Sequence, residues 1–288
     1  MFFERVNERH KRLWGERFVH FFRPLRKLPP VKKITAIIPA RMESTRFPGK
    51  PLAKICGHTM IEHVLRRVQL AKNLSEVVVA TCNEEIVREV ERVGGRAVMT
   101  KNTHERCTDR IEEAADKVGG DIIVNVQGDE PFVTPEQIDL AVQAMLDDPS
   151  LVCANLMAPI DDLESLEDPN EVKVVFDRQK FALYMSREPI PSLKKGGAFD
   201  RAWKQVCVIP FTMDFLHTFS RLEPTPLEIR ESVDMLRAIE HGYKVKMVPC
   251  AATGVSVDTE GDRADAEQMM AGDPLFRQLF PASWNLGG

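Results

Sequence analysis

Short apolar runs alternate with segments of helical periodicity from residue 34 to residue 176. Apolar runs predict buried strands, whereas a period near 3.6 residues predicts helices. Strand-helix-strand units build parallel sheets covered by helices, so this order predicts an α/β fold with a doubly wound, mixed but mainly parallel sheet. The strands are predicted at 34–39, 76–81, 121–126, 151–158 and 171–176, and the helices at 59–72, 84–93, 108–118 and 134–147.

A basic loop follows the first predicted strand. It begins at Ala40 and brings Arg41, Arg46, Gly49 and Lys50 into eleven residues. Backbone N–H groups and cations at the end of a buried strand are suited to a polyphosphate. The spacing fits neither the dinucleotide fingerprint Gly-x-Gly-x-x-Gly nor the P-loop of NTPases. A cluster of cations is often only solvated surface, but the strand in front of this one favours a nucleotide site.

A carboxylate follows another predicted strand. Asp129 comes after Val124-Asn125-Val126-Gln127-Gly128. Ligands of doubly wound sheets bind beyond the carboxyl ends of the strands, so Asp129 and the basic loop are expected at the same edge. A carboxylate beside a triphosphate indicates a hard metal ion. The alternative is that Asp129 caps a turn or a helix.

Composition indicates a soluble enzyme of the reducing cytoplasm. The chain has 288 residues, of which 43% are hydrophobic, so it can bury a large core without disulfides. The six cysteines form no Cys-x-x-Cys pair, and the seven histidines lack the spacing of zinc ligands. The net charge is −4, and no nucleic-acid partner is predicted.

Residues 1–33 form a separate basic segment. They carry ten Lys and Arg against three Glu, and aromatic residues recur among the cations near helical spacing. Pro29-Pro30 would end such a helix before the catalytic domain, predicted at 34–288. Three interpretations stay open. The amphipathic helix docks on the domain or a second subunit, it binds an anionic inner-membrane surface, or it is a cleaved transit peptide, against which the glutamates count.

Several ordered motifs resemble those of a known family. The chain is similar to sugar-acid cytidylyltransferases, in particular the 3-deoxy-manno-octulosonate cytidylyltransferase (CMP-Kdo synthetase) family. The likeness extends over roughly residues 34 to 275. The matching motifs are Arg41-x-x-x-Thr45-Arg46-x-Pro48-Gly49-Lys50-Pro51-Leu52, 124–131 (VNVQGDEP), 170–175 (NEVKVV), 182–187 (ALYMSR) and 254–259 (GVSVDT).

The resemblance implies a nucleotide-diphospho-sugar transferase-like fold and a homodimer in the cytoplasm that serves lipopolysaccharide biosynthesis. An acidic sugar would attack the α-phosphorus of CTP, giving a CMP-sugar and pyrophosphate. Asp129 and Asp258 would jointly bind Mg²⁺, with Asp258 coming from a strand at 255–258. Lys50 and Arg46 would act with these aspartates in catalysis. The implied nucleotide-binding residues are Ala40, Arg41, Arg46, Gly49, Lys50 and Thr108.

The acidic acceptor is expected to contact Gln127, Arg187 and Gln205. A guanidinium binds a carboxylate through two parallel hydrogen bonds, so Arg187 is the predicted partner of the acceptor's carboxylate. Alternatively, Arg187 pairs with Glu188 or another surface acid. Gln127 would bind the acceptor's hydroxyl groups.

The chain departs from the family pattern near both substrates. Arg106 and Cys107 replace a Ser-Gly pair, Gln205 and Ile209 replace a histidine and a tyrosine, and Met235 replaces a glutamine. These changes leave three functions open. They are transfer to 3-deoxy-manno-octulosonate, transfer to a different acid (a modified octulosonate, another ulosonate or a phosphonate), and a catalytically dead, membrane-associated relative.

Overall fold

The computed structural model describes residues 32–44, 46–104, 106–192, 194, 201–252 and 254–281. Within these ranges, strands and α-helices alternate in an α/β fold. The strands are β1 (Ile34–Pro39), β2 (Lys54–Ile55), β3 (His58–Thr59), β4 (Glu76–Thr81), β5 (Ala97–Met99), β6 (Ile122–Val126), β7 (Ala154–Ile160), β8 (Lys173–Phe176), β9 (Ala182–Ser186), β10 (Ala202–Val206), β11 (Val208–Thr212) and β12 (Lys246–Pro249). The helices are α1 (Met60–Val68), α2 (Glu84–Arg92), α3 (Cys107–Val118), α4 (Pro135–Asp147), α5 (Leu163–Glu167), α6 (Met213–Arg221), α7 (Pro226–Glu231), α8 (Met235–Glu240), α9 (Glu260–Met270) and α10 (Pro274–Leu279).

The first sheet contains the predicted strands that lead to the basic loop and to Asp129. Its order is β11-β6-β1-β4-β5. β1 lies in the centre, parallel to β4 and β6, and all of its residues are buried. β11 pairs antiparallel with β6. A strand covered on both faces requires a continuous apolar run, as the sequence has at 34–39. The prediction of a mixed, mainly parallel sheet is confirmed.

A second sheet has the order β12-β7-β10-β8-β9. The predicted strands at 151–158 and 171–176 belong to this sheet, and they begin later, at Ala154 and Lys173. β10 runs antiparallel to both β7 and β8. An isolated bridge between Cys153 and Phe211 links the start of β7 to β11 of the first sheet. The apolar pattern predicts strands but does not say which sheet each one joins.

Local signals set the helix boundaries as predicted. Thr134 caps α4 in a capping box with Gln137, and Pro135 occupies the first turn. The turn after α2 has Gly94 at φ 80°, where a residue with a side chain would be strained. The four predicted helices thus correspond to α1 to α4, within a few residues at each end.

The C-terminal helices α9 and α10 pack on the β2–β3 hairpin. Apolar residues from both parts share one buried cluster that includes Ile55, Val257, Phe276 and Phe280. The backbone N–H of Cys56, in the hairpin turn, donates to Glu267 of α9 at 3.1 Å. Val257, next to Asp258, therefore packs in the same cluster as the hairpin and the two C-terminal helices, which holds this segment against the hairpin.

The prediction that Asp258 comes from a strand is wrong. Residues 255–258 belong to no strand. Thr259, directly after Asp258, caps α9 in a capping box with Asp262. Val257 instead donates one backbone hydrogen bond to the carbonyl of Asp129, at 3.0 Å.

Residues 1–31 of the predicted extension lie outside the described residues, so its helix stays a prediction. Across the ranges that the structure does describe, no helix has the length and apolar character needed to cross a membrane.

Candidate active site

The basic loop folds back on itself before it delivers Lys50. Gly49 has φ 73°, a conformation that glycine adopts without strain, and its N–H donates to the carbonyl of Met42 at 3.0 Å. A short 3₁₀ turn, Lys50–Leu52, begins directly after Gly49. The turn therefore fixes the position from which the Lys50 side chain extends.

Asp129 reaches the same edge because Gly128 lets two strand ends approach closely. A Cβ atom added to Gly128 would lie 2.7 Å from the backbone oxygen of Pro39, the last residue of β1. Real Cβ atoms essentially never approach that closely. A glycine at 128 is thus required for the end of β6 to pass the end of β1, and it places Asp129 beside the basic loop.

Both predicted metal ligands converge on one ammonium group. Lys50 Nζ lies 2.7 Å from Asp129 Oδ2 and 3.0 Å from Asp258 Oδ1. Burial alone would lower the pKa of Lys50, but the two carboxylates overcome that cost and raise the pKa above its usual value. Lys50 is thus held as a cation between the aspartates.

Arg46 completes this charged group. Its guanidinium lies 3.1 Å from Asp258 Oδ2 and donates to Asn170 Oδ1 at 3.3 Å. The Arg46 side chain is 56% exposed, so solvent screens the pair and it adds little to stability. An exposed arginine beside a half-buried lysine is suited to binding an anion that enters from solvent.

These groups line a cavity of about 600 Å³. Seven of the predicted site residues are on its wall: Ala40, Arg41, Arg46, Lys50, Gln127, Asp129 and Asp258. Further wall residues were not assigned a role from sequence: Pro39, Glu43, Ser44, Pro51, His104, Arg106, Cys107, Arg110 and Gly128. Three cations of the basic loop thus face the same space as the two aspartates.

His104 and Arg110 belong to the segment where the chain departs from the family pattern, and their roles there were missed. The carbonyl of His104 accepts a hydrogen bond from Arg41 at 3.4 Å. Arg110 is buried and donates to Thr100 and to the carbonyl of Lys101. The signal that could have identified them is their place at the start of a helix that follows a strand of the first sheet.

Four predicted site residues are not among the described residues that line the cavity: Gly49, Thr108, Arg187 and Gln205. Gly49 acts through the loop conformation, and Thr108 donates to Asp234 Oδ2 at 3.0 Å. Gln205 lies on β10 and donates to Asn155 at 2.6 Å. Two of the departures from the family pattern, Ile209 and Met235, are buried in the core.

Arg187 has carbonyl partners rather than an acidic side chain on its guanidinium. Nε donates to the backbone oxygen of Glu231 at 2.7 Å, Nη1 to that of Pro169 at 2.8 Å, and Nη2 to that of Ser232 at 3.4 Å. These bonds tie the end of β9 to the α7–α8 region. The role of Arg187 in binding an acceptor stays a prediction.

A second charged group lies at the start of α3. Arg106 Nη1 donates to Asp234 Oδ1 at 3.0 Å, and Arg106 Nη2 lies 3.9 Å from Glu228. Gln127 donates to Cys107 Sγ at 3.2 Å. Burial and the nearby Asp234 raise the pKa of the Cys107 thiol to about 12, so it stays protonated at neutral pH. This arrangement joins α3, the end of β6 and the turn before α8.

Glu130, to which no role was assigned, lies next to the aspartates. Burial, and then the charge of Asp129, raise its pKa to about 8. A hydrogen bond with Ser256 opposes this shift. Glu130 thus contacts Ser256, in the segment that carries Asp258.

The chain is similar to known cytidylyltransferases. A family profile described as Cytidylyltransferase matches residues 35–246. The 3-deoxy-manno-octulosonate cytidylyltransferase of Geobacter metallireducens is 44% identical over 240 residues, which are 80% of this chain and 94% of the relative. The protein of the same name from Geotalea daltonii is 45% identical, with 80% and 95% covered.

Solved structures show the same relationship. A CMP:2-keto-3-deoxy-manno-octonic acid synthetase complexed with CTP has 38% sequence identity and a TM-score of 0.79, covering 83% of this chain and 99% of its own. A 4-diphosphocytidyl-2C-methyl-D-erythritol synthase from Anaerococcus prevotii has 16% identity and a TM-score of 0.55, with 83% and 99% covered. This second likeness extends to the fold alone.

Proposed function

Because this chain belongs to the cytidylyltransferase family and is therefore a nucleotidyltransferase, we propose that it transfers CMP from CTP to an acidic sugar, 3-deoxy-manno-octulosonate, with release of pyrophosphate. The observation that carries the proposal is the convergence of Asp129 and Asp258 on Lys50, in a cavity that Arg41 and Arg46 also line. An inactive relative would have no physical need to keep all five residues in one place.

The cations of the basic loop would bind the triphosphate. Negative charge develops on the pyrophosphate as its bond to the α-phosphorus breaks, and fixed positive charge stabilises that transition state. Lys50 is suited to this role because the aspartates hold its ammonium in place. Arg46, which is more exposed, would neutralise the outer phosphates, and Arg41 would bind them from the start of the loop.

Asp129 and Asp258 would hold Mg²⁺. Their carboxylate oxygens already converge on a cation, and hard oxygen ligands are those that Mg²⁺ prefers. When bound, Mg²⁺ would lower the pKa of the attacking hydroxyl and neutralise phosphate charge. Lys50, beside these carboxylates, would direct its remaining N–H donor to a phosphate oxygen.

The acceptor would enter beside Gln127, whose amide is on the cavity wall near Cys107. A different acid is the second candidate acceptor. Arg106 favours a different acid, because its charged side chain lines the cavity at a position where the family pattern has a small serine. Contacts of Arg187 and Gln205 with the acceptor stay predictions.

Pyrophosphate release from CTP and Mg²⁺ with a panel of acids tests the proposal. The panel contains 3-deoxy-manno-octulosonate, other ulosonates and a phosphonate. We expect release that requires both the acid and CTP, with 3-deoxy-manno-octulosonate the best acceptor. Asp129→Asn serves as the inactive control, and omission of the acid measures hydrolysis of CTP. Equal rates with ATP, or release without any acid, would contradict the proposal.

Three further predictions have no test in the described residues. They are a homodimer, a cytoplasmic location and a contact of residues 1–33 with the inner-membrane surface. Sedimentation of the full chain with anionic and neutral vesicles would test the last of these, since a basic amphipathic helix requires negative lipid.

A further inference from the structure

The charged group at the start of α3 has the features of a second anion site, separate from the basic loop. Arg106 is on the cavity wall, and its side chain is 29% exposed. The next residue, Cys107, contacts the amide of Gln127 at 3.2 Å. Arg106 therefore stands near the side chain expected to bind the acceptor's hydroxyl groups.

Asp234 positions Arg106. One oxygen of its carboxylate accepts from Arg106 Nη1 and the other from Thr108 Oγ1, each at 3.0 Å. Behind this pair, the buried Glu228 is held by two hydrogen bonds from Arg237, at 2.6 and 2.8 Å. Thr108 thus holds Asp234, and Asp234 in turn fixes the guanidinium of Arg106 at the wall of the cavity.

Asp234 holds the Arg106 guanidinium in place but does not use all of its N–H donors. A guanidinium has five N–H donors, and Arg106 makes one side-chain hydrogen bond within the described residues, to Asp234. Glu228, at 3.9 Å, is beyond hydrogen-bond distance. The planar group therefore keeps donors for a second carboxylate that approaches from the cavity.

The guanidinium of Arg187 makes more hydrogen bonds to the protein than that of Arg106 does. Three of its five N–H donors already go to backbone carbonyls, so it keeps fewer donors for an acceptor than Arg106 does. We propose that Arg106 binds the carboxylate of the acidic acceptor and so determines which acids the enzyme accepts. This inference rests on the proposed function, and it assigns to Arg106 the role that the sequence predicts for Arg187.

The test compares an acid with an analogue that lacks its charge. Titration calorimetry would measure the dissociation constants of 3-deoxy-manno-octulosonate and of its carboxamide on the full-length protein saturated with CTP, without Mg²⁺ so that no turnover occurs. We expect the wild type to prefer the acid. Arg106→Met should weaken binding of the acid by roughly 10- to 100-fold, the loss expected for hydrogen bonds between charged groups, and leave carboxamide binding and CTP binding unchanged.

Two further variants separate recognition from structure. Arg106→Lys keeps the charge but not the planar fork, so its loss should be intermediate. Arg221→Met removes an exposed arginine of α6 and should leave both constants as in the wild type. A purely structural role for Arg106 would weaken acid and carboxamide alike, so the preference would survive in Arg106→Met and the proposal would be overturned.

The variant Arg187→Lys tests the competing assignment, in which Arg187 binds the carboxylate of the acceptor. If this variant abolished the preference for the acid while Arg106→Met kept it, the carboxylate site would lie at Arg187. Pyrophosphate release, measured in parallel with Mg²⁺, reports separately on the proposed function. A wild type that prefers the acid through Arg106 but releases no pyrophosphate would refute the transfer reaction and leave the carboxylate site standing.

Discussion

Gly128→Ala should impair both stability and catalysis through a single contact. The added Cβ would lie 2.7 Å from the backbone oxygen of Pro39, whereas ordinary contacts begin near 3.4 Å. Neither partner is a flexible side chain, so the ends of β1 and β6 must separate by several tenths of an ångström. Overpacking of this kind costs about 1–3 kcal/mol. Each kcal/mol lowers the melting temperature of a domain this large by about 2–4 °C.

The catalytic effect follows from the position of the next residue, Asp129. A displacement of about 1 Å in a reacting geometry costs roughly 10²-fold, so a smaller shift should lower kcat by roughly 10-fold. Pyrophosphate release and thermal unfolding would be measured on the same preparations. Gly272→Ala is the matched control, because its Cβ would meet the nearest atom at 3.6 Å, an ordinary contact. Unchanged kcat and melting temperature in Gly128→Ala would refute this account of the strand ends.

Three shorter predictions concern charge. Asp258→Asn should lower kcat by roughly 10²-fold or more without unfolding the protein, and near-normal activity at limiting Mg²⁺ would contradict its role as a metal ligand. Lys50→Ala should lower kcat by roughly 10²-fold, whereas a change confined to the KM for CTP would indicate ground-state binding only. Burial alone would raise the pKa of Glu228, but hydrogen bonds from Arg237 lower it below 4.5. The stabilisation that the Glu228–Arg237 pair gives to the folded protein is therefore present above pH 4.5, and it is lost as the pH falls through the lower pKa that Glu228 has in the folded state. Thermal unfolding of Glu228→Gln should consequently depend less on acid pH than that of the wild type, and equal dependence would count against the pair.

The basic loop and Asp129 could be predicted because their information is local. Each follows a continuous apolar run, and the carboxyl ends of parallel strands meet at one edge of the sheet. The turn at Gly49 and the cap at Thr134 likewise depend on a few neighbouring residues. Such features are readable before any tertiary structure is known.

Other features depend on contacts between distant segments. Arg106 and Asp234 are far apart in the sequence, and neither has a pattern that indicates the other. Arg187 lies in a motif that matches the family, yet its partners are backbone carbonyls, which leave no trace in side-chain identity. Asp258 was placed by resemblance alone, and the backbone hydrogen bond that ties its segment to Asp129, from Val257, joins residues far apart in the sequence.

The bond from Val257 N–H to the carbonyl of Asp129 has a consequence for how activity arises during synthesis. Asp129 follows β6, and four of the five strands of its sheet lie within the first 126 residues of the chain. Asp258 joins it only after the ribosome has made α9, which anchors that segment on the β2–β3 hairpin. A nascent chain that stops short of α9 can therefore form the basic loop and Asp129, but it lacks the helix that anchors Asp258 beside them.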